Sequence, residues 1–407
     1  MTGEHLGDAV ARKPWTSPRR SLSKGILVMR RPKLLLAILV SIVANLTTMP
    51  VISQETSADP WLELEEEIRG RGLDPAEMNI PGRLNDEMRT WVRERFSPNA
   101  SSAEILRQIL AELVDPAGLK LLYNPNFTGT AEEVWELGQA NCLGFTHLYV
   151  GLTRELGLPT YYVRWSMVER YRREGDLVVV SGHVSAGLGP GNQRQVLEFG
   201  AVDGMEGFLA QPISDLNAMA RHYANRSAEF LRAGDVTAAV EAADLATRLE
   251  PTLADAWVNL GVSRRRSGDP VGAEDAYREA TRIDPDHLPA YQNLSALLYL
   301  QGADDAARKT LALLDRRDNR NPFTYLSLGD ASLDSHRFEE AARFYSRAHR
   351  LAPKVAETNA ARGIVALAMG EEEKAKKWLR RAQKIDPSES RTVELANKVS
   401  RIEDSSK

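Results

Sequence analysis

The run Pro251-Thr252-Leu253-Ala254-Asp255-Ala256-Trp257-Val258-Asn259-Leu260-Gly261 sets the architecture of the C-terminal half, because its marker residues return every 34 positions. Pro251 is followed on that interval by Pro285, Pro353 and Pro387, with Asn319 in the one slot that lacks a proline. Ala239, Ala273, Ala307, Ala341 and Ala375 form a second column, and Ser227, Gly261, Ser295, Gly329 and Gly363 a third. Tyr223, Trp257, Tyr291 and Tyr325 form a fourth, which Asn359 breaks. Small residues let two helices approach closely and an aromatic fills the space between neighbouring pairs, so each unit buries its apolar face only by stacking on the next.

These columns resemble the tetratricopeptide repeat, with five repeats over residues 220–387 and a polar closing helix over 389–402. An all-α solenoid over 214–407 is the expectation. Such arrays present a concave groove to a peptide or protein, or brace a neighbouring domain; a protein or peptide ligand in the groove is the reading preferred here.

Upstream, charge and hydropathy separate a leader over 1–53. It holds 8 Lys/Arg against 2 Asp/Glu, which leaves 44 against 54 of the chain's 52 and 56 for the remainder, a net of about −10. An acidic body argues against nucleic acid as a partner. Arg30, Arg31 and Lys33 precede an apolar run over 34–46, and small or polar residues follow up to Ser53, the three parts of a secretory signal. Counted from Met29 the segment has a usual signal length, which would make residues 1–28 an over-long start. Export to the periplasm is expected. An uncleaved membrane anchor near the N-terminus is the alternative, since 34–52 is nearly long enough to cross a bilayer. No cysteine is available there for a lipid anchor.

The middle segment, 54–213, reads as a helical lead-in followed by an α+β domain. Residues 61–122 are polar-rich and helical, with Leu106, Ile109, Leu110 and Leu113 at helical spacing and breaks at Pro81, Pro98 and Pro116. Thr130 followed by Glu133 forms a capping box opening a short helix with Val134 and Trp135. A helix from Asn141 to Leu156 carries Phe145, Leu148, Leu152 and Leu156 on one face, and Gly157 and Pro159 stop it. Strands are expected over 161–168, 177–188 and 195–199.

Cys142, the single cysteine, falls in the first turn of that helix. Unable to form an intramolecular disulfide, it serves either inert packing or chemistry. A helix start lowers a thiol pKa and offers N–H groups to an oxyanion, which favours chemistry. His147, five residues on, points elsewhere and is expected to be a surface or packing residue. His183 alternates with valines, on the Ser181/Ser185 side of its strand. Glu198 is a carboxylate on the next, otherwise apolar strand, with Asp203 as its fallback for orienting an imidazole.

A cysteine at a helix start, then a histidine and an acid on successive strands, resembles the transglutaminase-like superfamily, whose core is shared with papain-like cysteine proteases. Asn141-Cys142-Leu143, Gly157-Leu158-Pro159 before Tyr161-Tyr162-Val163, Gly182-His183-Val184 and Val196-Leu197-Glu198-Phe199 carry the likeness, over residues 126–205. It is similar to bacterial exported proteins that join this domain to tetratricopeptide repeats. The resemblance implies Cys142 as nucleophile, His183 as base and then acid, and Glu198 as orienter, with Gln139 a weaker candidate oxyanion donor. Two departures stand: Glu198 where Asp is common, and Val184 where an aromatic often follows the histidine. Metal-ligand, phosphate-loop and dinucleotide patterns are absent, so no metal and no cofactor is expected. The resulting expectation is an exported cysteine-dependent acyl-transfer enzyme acting on amides, an amide or peptide hydrolase or a transglutaminase-like cross-linker, with hydrolysis preferred. The alternatives are an inactive scaffold acting through its repeats and a membrane-tethered assembly factor.

Overall fold

The N-terminal helices exist because their caps and apolar stripes agree. In the computed structural model, which describes residues 59–96, 100–115, 118–174, 177–189, 195–197, 210–315 and 321–405, α1 spans Leu62–Gly70, α2 Asp86–Arg95 and α3 Ser102–Val114. Asn85 and Ser101 accept hydrogen bonds from Met88 N and Glu104 N, each satisfying an amide that the helix start leaves open. The buried stripe Ile105, Leu106, Ile109 and Leu113 packs α3 inward, leaving Leu110 half-buried. All of this lies in one compact unit, Pro50–Lys407. The leader, including the expected signal or anchor, falls outside the described residues. Among the described residues no helix is long and apolar enough to cross a membrane.

Next come β1 (Leu122–Tyr123), α4 (Ala131–Leu137), β2 (Gln139–Ala140) and α5 (Cys142–Glu155). The Thr130/Glu133 capping box opens α4. Helix α5 ends as its sequence demands: Gly157 adopts φ +75, and Gly157 N and Leu158 N return to the carbonyls of Arg154 and Thr153. Parallel β1 and β2 are too short to show strand alternation. A second sheet, in the order β5-β4-β3-β6, is antiparallel throughout: β3 Tyr161–Glu174, β4 Leu177–Leu188, β5 Gln195–Leu197, β6 Ala210–Ile213. Strand β3 runs on past the expected 168, and β6 adds to the three strands expected. Its Pro212 has no N–H to donate, which an edge strand tolerates.

From Asp215 onward the chain is helix pairs: α6/α7 (Asp215–Ala233, Val236–Leu249), α8/α9 (Ala254–Arg266, Pro270–Ile283), α10/α11 (Leu288–Leu300, Asp304–Asp315), α12/α13 (Pro322–Asp334, Phe338–Leu351) and α14/α15 (Ala356–Ala368, Glu372–Ile385). Helix α16 (Ser390–Ser405) closes the array by burying Leu395 and Val399. Every member of the alanine column is fully buried. Gly261 and Gly329 lie under the rings of Tyr277 and Tyr345, where an added Cβ would come within 2.3 Å of ring carbon. The turn between paired helices requires positive φ at Gly234, Gly268, Gly302 and Gly370, and His336 takes the same conformation in the equivalent slot. Asn359, the break in the aromatic column, keeps one function of Trp257: both donate a side-chain N–H to the carbonyl of the proline six residues earlier, at 3.0 and 2.9 Å.

The hydrophobic core crosses the expected boundary at 213/214, one cluster running from Trp61 and Leu148 to Met219, Ala246 and Ala256. Arg154 Nη2 donates to Asp215 Oδ1 at 2.9 Å, and Tyr223 Oη hydrogen-bonds both backbone groups of Asn79. At the centre of this join two buried imidazoles meet. His147, on α5, bonds Tyr162 Oη through Nδ1 at 2.9 Å, and its ring centroid lies 5.3 Å from that of His222 on α6. Of the two roles open to it, surface or packing, His147 takes the second. Burial pushes it down to about 3, and burial, His147 and Arg226 together hold His222 well below its ordinary value.

Two outcomes follow from this packing. Gly329→Ala forces a methyl into the Tyr345 ring, and calorimetry should record a loss of about 1–3 kcal/mol; a neutral result would mean that α12 and α13 are not so closely apposed. Both histidines are neutral in the fold and take a proton in the unfolded chain below about pH 6.5, so stability is full above that value and falls as pH drops towards 4, by about 1.4 kcal/mol per unit for each ring. Urea titrations at pH 7 and 5 should show a much flatter dependence in His147→Leu/His222→Leu.

Candidate functional site

Cys142 is placed by a chain of hydrogen bonds that begins in the repeats. Glu229, on α6, accepts from Thr128 N at 2.6 Å; Thr128 Oγ1 in turn accepts from Asn141 Nδ2 at 2.6 Å. Asn141 is the N-cap of α5, its Oδ1 accepting from Gly144 N at 3.1 Å, so the amide is held at both ends. Gly144 has to be glycine: a Cβ there would lie 2.8 Å from Ala140 Cβ and 3.1 Å from Gly129 N. Thr146 Oγ1 donates to Cys142 O at 2.7 Å and reaches Val184 O at 3.3 Å, tying the first turn of α5 to β4. Cys142 itself is half-exposed.

Cys142 lines a cleft of about 570 Å³. One wall is the sheet, with Arg164 and Trp165 of β3, Gly182 and Val184 of β4, and Gln211 of β6. The facing wall is the first helix of each of the first three pairs, contributing Asn225, Asn259 and Asn293 among others. Across that wall runs a polar rung. Ala290 N donates to His287 Nδ1, which leaves the imidazole proton on Nε2, 2.9 Å from Asp255 Oδ1. Arg221 Nη1 donates to the other oxygen of Asp255 at 3.3 Å. Burial works to raise the Asp255 carboxyl, but the His287 hydrogen bond and the charges of Arg221 and Arg164 outweigh it and hold the group well below the usual carboxylate range. Three successive repeats are pinned by one carboxylate.

His183 is buried in β4, opposite Trp165 of β3. Tyr162 reaches His147 on α5, so that face of β3 meets the helix; its partner Ala186 and, by alternation, Val184 share that face. His183 stands on the other face, its Nε2 3.3 Å from Ser185 Oγ, which also accepts from Trp165 Nε1 at 3.0 Å. The strand neighbours of the histidine line the cleft with Cys142, and no hydrogen bond joins the described Cys142 and His183 side chains. Glu198 and the fallback Asp203 lie outside the described residues. Gln139 accepts from Asn124 Nδ2 at 3.2 Å. Among the described residues there is no cluster of His, Cys, Asp and Glu able to hold a metal ion.

The asparagines of the cleft were not among the residues expected to act. Their signal is in the sequence, since Asn225, Asn259 and Asn293 are 34 residues apart. Asn259 and Asn293 each donate Nδ2 to a backbone carbonyl, of Ala224 and Pro289, at 2.8 Å.

Residues 227–287, 264–328 and 326–390 match models of the tetratricopeptide repeat family. The chain is similar in structure to a thermophilic TPR protein of Thermus thermophilus (18% identity, 45% of this chain and 97% of that one, TM-score 0.39) and to pilF of Pseudomonas aeruginosa (19%, 46% and 86%, 0.38). It is also similar to YrrB, described as a TPR protein with an unusual peptide-binding site (17%, 44% and 92%, 0.32). No curated protein matches it. Residues 227–390 are tetratricopeptide repeats, an architecture of protein–protein interaction and scaffolding.

With His183 bonded to Ser185 and no hydrogen bond between the described Cys142 and His183 side chains, iodoacetamide should alkylate Cys142 at the same rate, within about twofold, in the native chain and in His183→Ala at mildly acidic pH. Markedly slower labelling in the variant would bring the ring to the thiol and reverse this assignment.

Proposed function

We propose that the chain is an adaptor whose repeats receive an extended segment of a partner protein in the cleft between the sheet and α6, α8 and α10. The observation that carries this reading is the asparagine column. An extended peptide presents an N–H and a C=O at a regular rise of about 3.3 Å per residue, and recognising its backbone needs neutral groups with fixed acceptors. Asn259 and Asn293 have their amide nitrogens held by backbone carbonyls, so their oxygens are oriented to accept. A cleft of this size lies within the range of ligand sites. Arg164, Arg221 and Arg265 alternate with Asp255 and Glu229 around it, which suits a backbone reader better than a site for one sign of charge.

A second reading keeps the transglutaminase-like resemblance and makes the same cleft catalytic. It rests on the half-exposed Cys142 at the start of α5. In that case Sγ attacks an amide carbonyl, His183 protonates the leaving amine, Glu198 orients the imidazole and water resolves the thioester. The His183 imidazole is bonded to Ser185 rather than to the described thiol, which weighs against it, and the adaptor is preferred. Either function is proposed for an exported chain, cleaved from its leader or anchored by it, on the basic-flanked apolar run 34–46 alone.

Peptides selected from a random display library by the full chain should lose at least about tenfold in affinity to Asn259→Ala/Asn293→Ala and bind Cys142→Ala unchanged. Equal binding to the asparagine variant overturns the adaptor reading. Release of a shortened peptide by the native chain but not by Cys142→Ala would establish the second one.

A further inference from the structure

Away from the cleft, the second helices of the last two repeats carry matching rows of cations. Arg343, Arg347 and Arg350 lie on one face of α13, and Lys377, Arg381 and Lys384, each 34 residues later, on one face of α15. Arg362 reaches the same place from α14. Its Cζ lies 4.0 Å from the centroid of the Trp378 ring, and Arg381 Cζ lies 4.6 Å from that ring. The imidazole of His349 meets Trp378 edge-on at 5.0 Å. Two guanidinium groups therefore share one indole. Burial and the neighbouring charges of Arg381 and Arg350 lower the pKa of Arg362.

Some cations elsewhere in the array are paired, as in Arg391 with Asp330, Arg278 with Glu274 and Arg282 with Glu279. Among the described residues Arg350, Arg362 and Arg381 enter no ion pair. The acids of α13 and α15 sit in their first turns, where Glu340 accepts from Tyr299 and Glu371 pairs with Lys374. Like charges held together around an aromatic ring, with no counter-charge, leave a favourable place for an anionic group.

We propose that this face of the fourth and fifth repeats, around Arg350, Arg362 and Arg381, docks a short acidic segment of a partner protein. Charge complementarity and size select that occupant. An i to i+7 row extends about 10 Å along a helix, the length of about three extended residues. The chain beyond the leader carries an excess of about ten acids, so a long polyanion or an anionic membrane plane would meet repulsion as soon as it extended past the patch. Carboxylates also suit the stacked guanidinium groups, whose N–H edges stay open when their faces lie on the indole. The cleft is lined by first helices of the first three repeats, so the two surfaces can be occupied independently.

The test uses the full chain and a fluorescent oligoglutamate peptide, followed by anisotropy at an ionic strength of about 0.05 M. Arg350→Glu/Arg381→Glu should weaken binding at least about tenfold, and Arg350→Gln/Arg381→Gln by a smaller factor, with helical circular dichroism unchanged in both. Arg265→Glu, in the cleft, should leave binding within about twofold of native. Unchanged affinity in the charge reversal, or an equal loss in Arg265→Glu, overturns the proposal. So does tighter binding of phosphatidylglycerol vesicles or of a single-stranded oligonucleotide than of the peptide.

Discussion

Helix α6 is covered on both sides, and the geometry of the molecule follows from that burial. A stack of helix pairs has two ends, each of which would leave an apolar face in water unless something closes it. At the C-terminal end α16 does so with Leu395 and Val399. Among the described residues the other end carries no polar cap. The first pair instead buries Leu216, Met219, Ala220 and His222 against α5 and the lead-in helices, and the core continues without a break from Trp61 to Ala256. The array and the α+β layer consequently pack as one body, with the cleft between them.

The same join fixes the cleft's two walls. Glu229 and Arg226 stand on α6, and the first of these holds the loop that caps α5, so the start of the cysteine helix is positioned by the first repeat. On the opposite wall the Asp255 carboxylate ties α6, α8 and the cap of α10. A half-exposed carboxylate held by an arginine and a histidine is costly to protonate, and the wall it braces resists rearrangement at neutral pH. Preorganisation of this kind reduces the ordering cost of binding an extended chain.

Much of this was legible in the sequence. The 34-residue columns identified the five pairs, the closing helix and the positions that bury, because stacking demands small residues at fixed places. The bounds of α5 were legible from Asn141 and Gly157, one a cap and the other a residue able to take positive φ. What could not be read was which face of β4 meets α5. Alternation separates His183 from Val184 but does not say which looks towards the helix, and it is Gly182 and Val184 that edge the cleft. Strand β6 was hidden by Pro212, and the asparagine column by its neighbours, since Asn225, Asn259 and Asn293 occupy unremarkable polar slots until the period is applied to them.

Asn359 shows how the repeat keeps its geometry when its sequence departs from the pattern. The aromatic column does two things: the ring fills space between pairs, and in Trp257 the ring N–H also holds the carbonyl of Pro251 at the preceding turn. Asn359 gives up the first and keeps the second, donating to Pro353 O and to Val355 O while remaining buried. At that end of the array Leu395 of α16 packs against Gly363, where an added Cβ would lie 2.3 Å from its methyl. The side chain that stacks on the fifth repeat therefore comes from the closing helix, and a hydrogen bond to the turn is what position 359 still has to supply.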